Sequence, residues 1–163
     1  MSIFIGVDPG ASGGIAVVCD YLDVPPVLHA MPKTERDIWD IVGSSDVQDR
    51  SDHVELTCFA VIEKVGGFMP GSAGNIGSAM FKFGSSYGFL RGCLTAAGIP
   101  FDEVHPRTWQ KALGVIARSN GESKGQFKNR LKQKAQQLFP QVNVTLATCD
   151  ALLLAEYCRR IKS

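Results

Sequence analysis

Two short β-branched runs, residues 3–7 and 15–19, flank the turn formers Asp8-Pro9-Gly10 and Gly13-Gly14. That spacing predicts strand, turn, strand, so the chain opens as a hairpin. Pro25-Pro26 introduces a third short strand at 27–31. After this the pattern changes. Residues 34–55 are polar and acidic, with a weak helical stripe at Ile38, Ile41 and Val42. Residues 57–62 then form an almost wholly apolar strand with Glu63 at its carboxyl end, followed by a glycine-rich loop from Gly66 to Gly77. A helix is predicted over 76–97 and a fifth strand over 101–105. Pro106 suits the first position of a helix holding Trp109 and Leu113. Antiparallel strands first and αβ units afterwards predict a mixed α/β sheet with helices on both faces.

Two later helices complete the pattern. Residues 123–139 are amphipathic, with Phe127, Leu131, Ala135 and Leu138 as the buried stripe and lysines on the opposite face. Thr148 is the expected N-cap of a helix over 149–161, with Asp150 in its first turn. In the helix over 76–97, Gly84, Gly88 and Gly92 recur every four residues. They predict a bare ridge for close approach to a sheet or ligand, at about 1 kcal/mol of helix propensity each. Phe81, Phe83, Tyr87 and Phe89 on the same helix read as core rather than as base-stacking platforms.

With 163 residues, 45% hydrophobic and 20% charged, the chain is read as one globular domain spanning 1–163. No apolar run is long enough for a membrane span, and without a basic n-region, with Asp8 interrupting the apolar run, the first twenty residues are not expected to act as a secretion signal. The five scattered cysteines form no CxxC pair, which favours a reducing compartment and disfavours zinc and disulfide frameworks. A reducing compartment such as the cytoplasm is the expected location.

Charge is distributed unevenly. Between Arg107 and Lys134 stand eight basic residues and one acid, Glu122, a local excess of +7 in a chain whose total is +1, so the remainder carries −6. Clustered Lys and Arg gain affinity by releasing counterions from phosphates, so this block is a candidate polyanion face; a solvated basic helix would look the same.

Three acids are distinguished by placement. Asp8 ends the first strand, Glu63 ends a buried one, and Asp150 opens the last helix, each flanked by apolar residues. Ionised carboxylates at the edge of a core need hydrogen bonds, partners or cations. If the three converge, hard oxygen-seeking cations, Mg²⁺ or Mn²⁺, are the natural counter-charge. Taken singly, Asp8-Pro9-Gly10 is an ordinary turn, Glu63-Lys64 a surface pair, and Asp150 a complement to the helix dipole.

The segments IGVDPGASGGIAVV, VIEKVGGFMPG, FGSSYGFLRGCL, VHPRTWQKALGV, SKGQFKNRLKQKAQQLFP and CDALLLAEYCRR, in that order, resemble the RuvC-like Holliday-junction resolvases. The likeness is to the short bacteriophage and organellar versions, and it spans Ile3 to Arg160, with 20–52 the weak part. It implies an RNase H-like fold with a mixed five-stranded sheet, a homodimer, and paired symmetric nicks in four-way or branched DNA. By position it implies Asp8, Glu63 and Asp150 as catalytic metal ligands, with Lys124 as the lysine near the active site. The implied chemistry is two-metal phosphodiester hydrolysis with Mg²⁺, for which Mn²⁺ can substitute, Asp8 bridging the ions and no small-molecule cofactor taking part.

The candidate DNA contacts are Lys64, Lys82, Arg91, Arg107, Lys111, Arg118 and Lys128; the resemblance implies that the loop bearing Phe68 and Met69 faces the junction centre as an apolar wedge, with packing of these residues on the protein itself as the alternative. The family usually carries a fourth acid three or four residues before the last aspartate; here those positions hold Ala147 and Leu146. Weak metal affinity follows, and a junction-binding module without turnover is the alternative. An RNase H-like nuclease for other branched or hybrid substrates also stays open. A sugar-kinase or actin-type ATP site, suggested by DPGASGG, would need a second such turn in a longer chain.

Overall fold

A computed structural model describes residues 1–21, 24–43, 57–65 and 76–163. Among these, five strands form one sheet: β1 (Ser2–Asp8), β2 (Gly14–Cys19), β3 (Val27–Ala30), β4 (Thr57–Glu63) and β5 (Phe101–Val104), in the order β3-β2-β1-β4-β5. β1 pairs antiparallel with β2, from Ile3↔Cys19 to Asp8↔Gly14, and parallel with β4, from Ser2↔Thr57 to Val7↔Ile62. β3 adds antiparallel to β2, and β5 parallel to β4. The described helices are α1 (Glu35–Val42), α2 (Ile76–Ala96), α3 (Pro106–Ala112), α4 (Lys124–Leu138) and α5 (Cys149–Lys162).

Strand alternation divides the core. Ile3, Ile5 and Val7, with Ile15, Ala60 and Ile62, pack against Ile38 and Val42 of α1 and Leu90, Cys93 and Leu94 of α2. Phe4, Ala16, Val18 and Val61 point to the other face, where α5 lies with α3 and α4 around it. Helices therefore cover both faces of the mixed sheet.

One glycine governs how closely α5 approaches. A Cβ at Gly6 would lie 2.0 Å from the carbonyl oxygen of Ala151 and 2.3 Å from the amide nitrogen of Ala155, so the backbone of α5 rests directly on the centre of β1. From Cys149 through Cys158, every residue of α5 except Tyr157 is buried. They include Glu156, which is 2% exposed and whose carboxylate takes hydrogen bonds from Arg159 and Arg160.

Several details differ from expectation. β3 stops at Ala30 and β5 at Val104, each one residue early, and β2 starts at Gly14, which pairs with Asp8. Thr148 occupies the N-cap of α5 in a helical conformation with no side-chain cap bond; its hydroxyl instead accepts from the Thr145 amide at 3.1 Å. The glycine ridge of α2 touches neither sheet nor helix: among the described residues a Cβ at Gly84, Gly88 or Gly92 would meet nothing within 4 Å. The contacts of α2 come from its Leu90–Leu94 side instead, and Phe81, expected in the core, is 75% exposed. No described helix is long and apolar enough to cross a membrane. All five cysteines are free, three of them buried.

Candidate active site

Asp8 and Glu63 end neighbouring parallel strands whose register pairs Val7 with Ile62. Their side chains follow the alternation of Gly6 and Val61, so both project on the face covered by α5. Gly6, two residues before Asp8 on that face, brings the first turns of α5 down onto β1, and Asp150 arrives beside Asp8. The turn after β1 closes tightly around the same residue. A Cβ at Gly13 would stand 2.0 Å from the Asp8 carbonyl oxygen and 3.0 Å from its Cγ, and the Gly13 amide donates to the Gly10 carbonyl at 3.0 Å.

Three carboxylates from β1, β4 and α5 thus share one pocket at the carboxyl end of the central strands. Burial, then repulsion from Asp150, pushes the Asp8 carboxyl up to about 6, against the pull of Lys128. Burial, then Asp8, pushes Glu63 up to about 7; Asp150 adds to the rise, while a hydrogen bond from Trp109 opposes it. That bond runs from indole Nε1 to Glu63 Oε2 at 2.8 Å, and the indole is fully buried on α3.

Asp150 is held on both oxygens. The Cys149 thiol donates to Oδ1 at 3.2 Å and Lys128 Nζ donates to Oδ2. The same ammonium stands 3.6 Å from Asp8 Oδ2. Burial lowers the Lys128 pKa, but Asp150 and Asp8 outweigh it and the net displacement is upward. The amine remains charged.

The sequence reading puts Lys128 among the DNA contacts and Lys124 near the active site; the ammonium found against the carboxylates is that of Lys128. Lys124 is the exposed first residue of α4, whereas Lys128, one turn on, turns inward. A usable signal is present, since 128, 131 and 135 follow the i, i+3, i+7 spacing of one helix face, and Leu131 and Ala135 are its buried residues. Trp109, which the sequence places on a helix without a role in the site, is the other missed participant. A buried indole has one donor to satisfy, which is the signal that could have found it.

The candidate DNA contacts are dispersed. Arg107 and Lys111 are exposed on α3, which also carries Trp109; Arg118 is exposed in the following loop, and Lys64 directly after Glu63. Lys82 of α2 lines an open groove of about 540 Å³ next to the turn at Gly10, with Lys33 on the same groove. Arg91 is engaged elsewhere, paired with Glu103 at 2.7 Å. Arg130, counted in the basic block, is neutralised by a two-bond pair with Glu122. Phe68 and Met69 lie outside the described residues. Leu146, 46% exposed, and Ala147 precede Asp150 without a metal-binding side chain.

The donor types fit a divalent cation: three carboxylates, two of them held at raised pKa by burial and by neighbouring carboxylates. Their spacing as it stands does not. Among the described residues, no group of three or more Asp, Glu, His or Cys side chains stands at metal-holding distance. The carboxylates of Asp8 and Asp150 are arranged around the ammonium of Lys128 instead.

No family model matches the sequence, and neither does any curated protein. Solved structures do match. A Thermus thermophilus RuvC structure superposes with a TM-score of 0.58 at 16% identity, over 98% of this chain and 96% of that one. T. thermophilus RuvC in complex with a Holliday junction substrate gives a TM-score of 0.61 at 15% identity, over 99% and 97%. At this identity the likeness is one of fold, and the fold is the RNase H-like mixed sheet of those structures.

Proposed function

We propose that the chain is a structure-specific endodeoxyribonuclease that cuts four-way or otherwise branched DNA by metal-dependent phosphodiester hydrolysis. The observation that carries this reading is the convergence of Asp8, Glu63 and Asp150, distant in sequence, on one buried edge of an RNase H-like sheet. A solved structure of the same fold is a complex with a Holliday junction, which supports branched DNA as the substrate class.

In this reading Asp8, Glu63 and Asp150 hold Mg²⁺ or Mn²⁺, two ions per site, with Asp8 central between its partners. Bound there, such ions would supply an activated water and charge neutralisation at the leaving 3′-oxygen. The chain's own residues do the rest. Trp109 fixes the Glu63 carboxylate and favours its ionised form. Exposed Arg107 and Lys111, on the helix that carries Trp109, and exposed Arg118 and Lys124 on the segments after it would attract the phosphate backbone without reading sequence. Paired nicks require two such sites, so the active species is a homodimer. Its place is the cytoplasm of a bacterium or a phage-infected cell, consistent with five free thiols.

A second reading, a junction-binding module without turnover, has its own observation: Leu146 and Ala147 supply no fourth ligand, and an ammonium already lies between two of the three carboxylates. The two separate on end-labelled synthetic junctions, with linear duplex and RNA–DNA hybrid of matching sequence as controls. Mg²⁺ and Mn²⁺ are each titrated over a wide range. The nuclease reading expects nicks in two opposed strands of the junction; retarded complexes without product under either ion would leave the binding module.

A further inference from the structure

Lys128 is a charged group of the pocket that hydrolysis as described does not use. Its amine is not there by side-chain wandering. It is delivered by α4, whose start is fixed by a reciprocal capping box, Ser123 with Gln126, and whose Leu131 and Ala135 are anchored in the core. The side chain is 30% exposed, so the ammonium meets the carboxylates with much of its water removed, and charge-assisted bonds there are strong. It pairs with oxygens of Asp8 and Asp150 together. These are the oxygens a divalent cation has to reach, and an ammonium and a metal ion cannot occupy the space between them at once. Among the described residues no group of three acids stands at metal-holding spacing, and two of the three carboxylates are set around Nζ.

We propose that Lys128 is a resident counter-cation, a positioning residue that holds the metal-free pocket together and that a divalent ion must displace in order to bind. This rests on the metal-dependent reading above. Displacement costs the ion the two contacts it takes from the lysine, so the free protein binds metal weakly. Once expelled, the amine lies at the mouth of a pocket facing DNA, where a phosphate can replace the lost carboxylates. Metal and DNA then favour each other's binding, since any such coupling is reciprocal. A lysine inside the carboxylate cluster would keep the nuclease unloaded until a strand arrives.

The test is Mn²⁺ binding to the DNA-free protein, followed by electron paramagnetic resonance of the unbound ion, for wild type, Lys128→Met and Lys128→Gln. Both variants are expected to bind Mn²⁺ about tenfold more tightly than wild type, the equivalent of one good contact pair. A second measurement needs no substitution: acylation of lysines in the wild-type chain, read by mass spectrometry. Saturating Mn²⁺ should raise labelling of Lys128 several-fold relative to Lys132. Variants that bind no more tightly than wild type, or Lys128 labelling unmoved while Mn²⁺ is bound, overturn the displacement and leave the metal site standing. If neither wild type nor variants bind Mn²⁺, the metal-dependent reading falls and the inference falls with it.

Discussion

At the scale of single residues, the pocket is a balance of opposed effects on two acids. Burial and repulsion from Asp150 hold Asp8 at about 6, and burial and repulsion from Asp8 and Asp150 hold Glu63 at about 7, while Lys128 and, at Glu63, the Trp109 indole pull the other way. Trp109→Phe removes the donor and keeps most of the ring volume. It should destabilise the fold by about 1–2 kcal/mol, the worth of a hydrogen bond to a partly solvated charged group. It should also raise the Glu63 pKa further. The acid limb of the cleavage–pH profile then moves to higher pH, and wild type and variant compared from mildly acidic to mildly basic pH would reveal it. A variant with lower stability and an unmoved limb would mean that the indole serves packing alone.

At the scale of elements, Gly6 and Gly88 make opposite predictions from the same substitution. Gly6→Ala drives a methyl into the backbone of α5 at Ala151 and Ala155, and α5 carries Asp150. The expected loss is about 3 kcal/mol or more by urea unfolding, with the variant's cleavage lost as well. Gly88→Ala meets open space on a helix and should stabilise by up to about 1 kcal/mol. This contrast also shows what could be read in advance. Periodicity located the five strands and the three longest helices to within a residue or two, because two-fold and 3.6-fold patterns of apolar residues are local properties. It could not tell which glycine lies under a helix, because close approach depends on the partner surface. The four-residue spacing of Gly84, Gly88 and Gly92 looked like a contact ridge, yet the contact is made by Gly6 in a strand. The same limit applied to Lys128. Its charge marked it for solvent, while its place on the buried face of α4 was visible only as spacing with Leu131 and Ala135. The convergence of Asp8, Glu63 and Asp150 required strand order and register, which the resemblance suggested and local physics did not supply.

At the scale of the whole molecule, the acids make stability depend on pH and on cations. Both carboxyls have folded pKa values above their ordinary ones, so between about pH 4 and 7 the folded chain binds more protons than the unfolded chain. The stabilisation they confer is present at low pH and is lost as pH rises through 6 and 7. Protein stripped with chelator should therefore melt roughly 5 °C lower at about pH 8 than at about pH 5 if these two groups dominate that interval. Mn²⁺ should restore the melting temperature at the higher pH and have little effect at the lower, where protons hold the ligands. A metal-free melting temperature that rises across the same interval would show that the carboxylates are not held apart from solvent as described.

The central claim is that Asp8 serves chemistry on DNA rather than the fold, and the most direct measurement is of binding and cleavage of one four-way junction by wild type and Asp8→Asn in parallel. The account predicts that the variant folds, retains or strengthens its grip on the junction through reduced repulsion of phosphate, and yields no nicks in Mg²⁺ or Mn²⁺. Equal cleavage by both proteins, or loss of binding and cleavage together in the variant, would contradict it.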